Sequence, residues 1–126
     1  MTAYKEKYKD SIDYMLVYCE LIKAAQNRST IGYQDVAAIM GLPMTGNHMA
    51  RETGQMLGEI SQNEHARGRP MLSALVVRLD GSPGPGFFVL ARDLGKLKDG
   101  TKEDEKRFWQ GERDAVFKTW RRPNKT

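Results

Sequence analysis

Two helical patterns stand only a few residues apart in the middle of the chain, and the turn between them carries both Gly41 and Pro43. Tyr33 to Met40 (YQDVAAIM) reads as a short helix closed by Gly41, because glycine takes the left-handed conformation that ends a helix without steric cost. Pro43 then prevents continuation. After the turn Leu42 to Gly46 the spacing predicts a longer helix from about Asn47 to Ala66, with Met49, Thr53, Met56, Leu57 and Ile60 on one face. Two helices joined this tightly must pack across each other, so a helix-turn-helix is expected at the centre of the fold.

The flanking stretches have their own periods. Tyr8, Ile12, Met15, Cys19 and Ile22 recur in alternating steps of four and three, which predicts one amphipathic helix over about residues 3 to 26. Leu72 to Leu79 (LSALVVRL) is rich in branched residues and reads as a strand, followed by the turn-rich loop Asp80 to Gly86 and a short helix from Phe87 to Leu94 stopped by Gly95. A strand and loop in this position would make a wing. Thr101 and Asp104 form a capping box that opens a last helix, where Phe108, Trp109, Val116, Phe117 and Trp120 lie near one face. Burying each such side chain contributes about 1.5 to 3 kcal/mol, so this helix should dock on the core. The expected architecture is α/β but predominantly helical, in one domain spanning 1–126. It is a winged helix-turn-helix core over 29–95, flanked by an N-terminal helix over 1–28 and a C-terminal helix with a basic tail over 96–126.

Composition narrows the function classes. A hydrophobic content of 40% in 126 residues is enough for one continuous core. Cys19 is the sole cysteine and His48 and His65 the only histidines, so neither an internal disulfide nor a closed zinc site can be assembled, and no metal or other cofactor is expected. No apolar run approaches the roughly 20 residues that span a bilayer, and the N-terminal stretch lacks the apolar centre of a signal peptide; a cytoplasmic protein is the expectation. The charge is uneven. Five basic and four acidic groups give +1 over 1–28, four and five give −1 over 29–91, and eleven and seven give +4 over 92–126. Modest phosphate attraction would therefore come from Lys118, Arg121, Arg122 and Lys125, with a solvated mixed-charge helix surface as the alternative.

Within the long central helix, Ala50, Gly54 and Gly58 fall at successive i, i+4 positions, and Arg51 projects from the edge of this stripe. A glycine in a helix interior costs about 1 kcal/mol relative to alanine, so two of them on one stripe imply a close approach to the backbone, by DNA or by another helix.

Tyr33 to Gly41 (YQDVAAIMG), followed by Ala50 to Leu57 (ARETGQML), resembles the helix-turn-helix of the O6-alkylguanine-DNA alkyltransferases and the alkyltransferase-like proteins. Their pattern is a tyrosine opening the first helix, a V/L-A-A-x-x-G turn, and A-R-x-V-G-x-A-L/M in the recognition helix. The likeness covers roughly Ser29 to Phe88, about half the chain, with a longer inter-helix turn and with Thr53 where valine is usual. It implies a recognition helix in the minor groove, Arg51 entering the base stack beside a flipped nucleotide, and Tyr33 against that nucleotide's phosphate. A planar guanidinium can fill the gap that flipping leaves. Tyr33 sealing the core, and Arg51 solvated or paired with Glu52 or Gln55, are the plainer alternatives. The DNA-facing set is then Tyr33, Thr45, Asn47, His48, Ala50, Arg51, Gly54, Gln55, Gly58 and Ser73, with double-stranded DNA as partner.

The chain departs from the family at the reactive position. Where the family has P-C-H-R-V, it reads Leu72-Ser73-Ala74-Leu75-Val76, so serine replaces the nucleophilic cysteine and alanine the histidine. A serine hydroxyl without a neighbouring base is a poor nucleophile at neutral pH, so alkyl transfer is not expected. The reading is a non-catalytic DNA-binding protein. A protein-binding module, acting as accessory subunit or inhibitor of a nucleic-acid enzyme, is the alternative; its sticky surface would include Trp109, Phe117 and Trp120. An enzyme using Ser73 as nucleophile comes third.

Overall fold

The computed structural model describes residues 4–43 and 46–123. It is predominantly helical, with helices α1 (Ile12–Gln26), α2 (Tyr33–Ile39), α3 (Asn47–Ala66), α4 (Pro85–Asp93) and α5 (Lys102–Trp120). The strands β1 (Ile31–Gly32) and β2 (Val76–Val77) pair in parallel, Ile31 against Val76 and Gly32 against Val77. Among the described residues no helix is long and apolar enough to cross a membrane.

The helix ends are set by local chemistry. Gly41 at φ +71° lets its own amide reach the Ala38 carbonyl and that of Leu42 reach Ala37, which satisfies the last carbonyls of α2. Gly95, at φ +76°, ends α4 in the same way. The Thr101 hydroxyl accepts from the Asp104 amide while the Asp104 carboxylate accepts from the Thr101 amide, so α5 opens on the expected capping box.

Two sequence expectations are corrected. The N-terminal helix starts at Ile12, because the Ser11 hydroxyl caps it by accepting from the Tyr14 amide and Asp10 stands at φ +69°; the preceding residues run along α3 instead. Its buried face is Val17, Leu21, Ala24 and Ala25, whereas Ile12 (76% exposed), Met15, Leu16 and Cys19 face outward. The two alanines allow closer approach to the core than the bulkier stripe would.

The stretch Leu72–Leu79 is not a strand: Leu72–Leu75 forms one 3-10 turn, and only Val76–Val77 pairs. Side chains from neighbouring helices satisfy this backbone in place of a ladder. The Met71 amide donates to Glu112, the Ser73 amide donates to the Ser61 hydroxyl, and the Ala74 carbonyl accepts from the Trp109 indole. The turn is packed by α1, α3 and α5 and is the hub of the core, with Leu72, Ser73, Ala74 and Leu75 all buried.

The C-terminal helix docks as expected, with Val116 and Phe117 buried. Its tryptophans are not left sticky: Trp109 and Trp120 pack against the core, under the guanidinium groups of Arg113 and Arg69 respectively. Lys118, Arg121 and Arg122 are exposed, and Lys125 lies outside the described residues.

On α3, Thr53, Met56, Leu57 and Ile60 are buried. The Thr53 hydroxyl is buried with no hydrogen-bond partner among the described residues. Thr53→Val keeps the shape and removes that orphan, so it is expected to raise the unfolding free energy by about 1 kcal/mol. A higher urea midpoint at unchanged slope would register the gain; a lower one would refute it.

Candidate nucleic-acid interface

The parallel pair β1–β2 brings Gly32 beside Val77, and Asp35 accepts from the Gly32 amide, which fixes the first turn of α2 and with it Tyr33. The Tyr33 ring lies against the loop before α4. A Cβ at Gly84 would stand 2.8 Å from its hydroxyl oxygen, so the approach requires glycine there. Burial pushes the Tyr33 phenol above its ordinary pKa, opposed by a hydrogen bond from the Gly84 backbone.

Beside Tyr33 opens a groove of about 630 Å³ between α2, the first turns of α3, β2 and the start of α4. Tyr33, Ala50 and Gly54 line it together with Met49, Val77, Arg78 and Pro85. Asn47, His48, Ala50 and Arg51 are exposed on the opening turns of α3. Arg51 has a side chain 68% exposed; its guanidinium lies 3.4 Å from His48 Nδ1 and 3.7 Å from the Glu52 carboxylate. Thr45 lies outside the described residues.

Further along α3 the surface is covered by the chain itself. Residues 4–10 run along the helix, and side chains at four positions of α3 hold them. Gln62 accepts from the Tyr4 amide and donates to its carbonyl, while Gln55 donates to the Lys5 carbonyl. Glu59 accepts from the amides of Tyr8 and Lys9, and Glu52 accepts from the Lys7 ammonium and the Tyr8 hydroxyl. The Lys7 hydrogen bond, then that of Tyr8, draws the Glu52 carboxyl down to about 2. Burial first, then Glu52, pushes the Tyr8 phenol up to about 12.

Gly58 is buried under this segment. A Cβ there would stand 2.3 Å from the Tyr4 ring, so the close approach that the glycine stripe implied is made, at Gly58, by an aromatic ring of the same chain. Tyr4, Tyr33, Gly54, Gly58 and Ser73 share a small cavity of about 40 Å³. The Ser73 hydroxyl accepts from Ser61, whose own oxygen receives the Ser73 amide; both are buried.

No protein-family model, curated protein or solved structure matches this chain.

The structure thus gathers Tyr33, Ala50 and Gly54 in one groove, with Asn47, His48 and Arg51 exposed on the same turns of α3. Gln55 and Gly58 are turned to residues 4–10, and Ser73 lies in the small cavity beneath. Sequence reasoning missed Glu52, Glu59 and Gln62 as the holders of the N-terminal segment. The legible signal was their spacing: Glu52, Gln55, Glu59 and Gln62 recur in steps of three and four, a polar stripe on one side of a helix whose neighbouring face is apolar.

Proposed function

We propose that this chain is a non-catalytic winged-helix protein of the alkyltransferase-like kind that binds double-stranded DNA. The observation that carries the reading is the groove in which Tyr33, Ala50 and Gly54 meet, from two helices, beside an exposed Arg51. Small residues on the opening turns of α3 let a polynucleotide backbone come close, and the exposed Arg51 guanidinium, 3.7 Å from the Glu52 carboxylate, can exchange that pairing for a base step or a phosphate. Ser73, hydrogen-bonded to Ser61, supports a role in shaping the floor rather than in attack.

Titration of the protein against plain duplex, O6-alkylguanine duplex and single strand at two salt concentrations tests this. Duplex affinity should fall as salt rises. Arg51→Ala should weaken it by about tenfold, the equivalent of roughly 1.4 kcal/mol, with the melting curve unchanged. Wild-type affinity retained in that variant would remove α3 from the interface.

A second reading, an accessory module docked on a partner protein, draws on a different surface. Ile12, Met15, Leu16 and Cys19 stand exposed at helical spacing on α1, an apolar stripe of the kind that seats against another helix. Failure of all three oligonucleotides to bind would favour it.

A further inference from the structure

We propose that the N-terminal segment Tyr4–Asp10 is a cationic arm laid on α3, and that Lys5 and Lys7 contact duplex phosphates beside Arg51. This rests on the DNA-binding reading and adds to it a set of contacts that the helix alone does not supply.

Without the arm, α3 would present an acidic side. Glu52 and Glu59 lie on the side of the helix that residues 4–10 cover, and bare carboxylates there would repel a phosphate backbone. With the arm in place both are buried and occupied by donors: the Tyr8 and Lys9 amides and Gln55 at Glu59, Lys7 and Tyr8 at Glu52. The acidic stripe is thereby masked by a segment that exposes Lys5, Lys7 and Lys9 against Glu6 and Asp10, one positive charge in excess.

Lys7 and Arg51 approach the same carboxylate, Lys7 at Oε1 and Arg51 at Oε2 of Glu52, so the two cations stand side by side at the edge of the groove-lining turns. Gln55, one turn beyond Arg51, holds the Lys5 carbonyl, which sets Lys5 next along the same line. Lys9 is turned instead to Glu6. The ring of Tyr4 on Gly58 and the two hydrogen bonds to Gln62 anchor the far end, which fixes the register of the lysines on the helix. The basic C-terminal residues sit on α5 and beyond it, an element packed on α1 and the 3-10 turn.

The test is the salt dependence of duplex binding for the full chain, Lys5→Gln, Lys5→Gln/Lys7→Gln and Tyr4→Ala, each with a thermal melt. Each lysine that neutralises a phosphate adds about 0.9 to the slope of log K against log salt, so Lys5→Gln should lower the slope by about that amount and the double variant by about twice it. Affinity should drop about three- to tenfold in the double variant, and Tyr4→Ala, which loosens the arm, should also bind more weakly. Lys5 forms no ion pair among the described residues, so the slope of Lys5→Gln reads the contact even if the double variant loosens the arm.

Unchanged slopes in both lysine variants, with wild-type duplex binding intact, would overturn the arm and leave the DNA reading standing. Tighter binding by Tyr4→Ala would also overturn it, by showing the segment to be a cover. Absence of duplex binding by the full chain would remove the DNA reading itself, and the arm with it.

Discussion

Truncating Leu72 to alanine is expected to lower the unfolding free energy by about 3 to 4 kcal/mol, whereas the same truncation at Leu79 should leave it within about 0.5 kcal/mol. The chemistry removed is identical and the two leucines stand seven residues apart. What differs is their surroundings. Leu72 opens the 3-10 turn at which α1, α3 and α5 converge and has no exposed surface, while Leu79 is 96% exposed at the start of the loop before α4. Deleting three buried carbons at Leu72 loses their transfer free energy and leaves a cavity between three helices that cannot all close on it. Urea titrations of the two variants decide the matter. A strand over Leu72–Leu79, buried on both faces as a branched-rich run would be, predicts comparable losses at both sites. Similar midpoints for Leu72→Ala and the parent would displace the turn from the centre of the core.

That contrast shows where the sequence was legible. Features governed by a single residue's backbone chemistry could be read directly: Gly41 and Gly95 close their helices in left-handed conformations, and Thr101 with Asp104 opens α5. The span Asn47–Ala66 followed from its apolar period. The conformation of Leu72–Leu75 could not be read in this way, because branched composition favours any well-buried extended or turned backbone, and the deciding partners are distant side chains, Glu112, Ser61 and Trp109. On α1 the sequence IDYMLVYCELI offers apolar residues around most of the helix, so more than one stripe satisfies the period and tertiary packing selects Val17, Leu21, Ala24 and Ala25. At the candidate site, small residues at Ala50, Gly54 and Gly58 announced that something approaches α3. They carried no information on what. At Gly58 that is Tyr4, held through a polar stripe whose acceptors look, in sequence, like an ordinary solvated helix face.

Replacing Arg69 with alanine is expected to cost about 2 to 3 kcal/mol, more than a surface arginine's loss, because of the carboxylate it would strand. Glu64 is 1% exposed and receives two parallel hydrogen bonds from Arg69, at 2.8 and 2.7 Å, with the Tyr18 hydroxyl at 3.3 Å as its third donor. The same two residues are joined through the backbone. Gly68, at φ +75°, lets the Arg69 amide reach the Glu64 carbonyl, so the end of α3 and the ion pair form together. The guanidinium also covers the Trp120 ring from α5, at 5.2 Å. Removing Arg69 alone leaves a buried carboxylate without its counter-ion, whereas removing both charges does not. Glu64→Gln/Arg69→Met should therefore recover at least half of the loss in a urea titration, and a double variant no better than Arg69→Ala would assign the cost to packing on Trp120 instead. The pair fixes the C-terminal end of α3 to α1 and α5 and leaves the opening turns, Asn47 to Arg51, as its exposed end. Arg69→Ala should accordingly lower stability without altering the ratio of duplex affinities between the parent and Arg51→Ala backgrounds, since the two sites stand at opposite ends of one helix and share no side-chain partner.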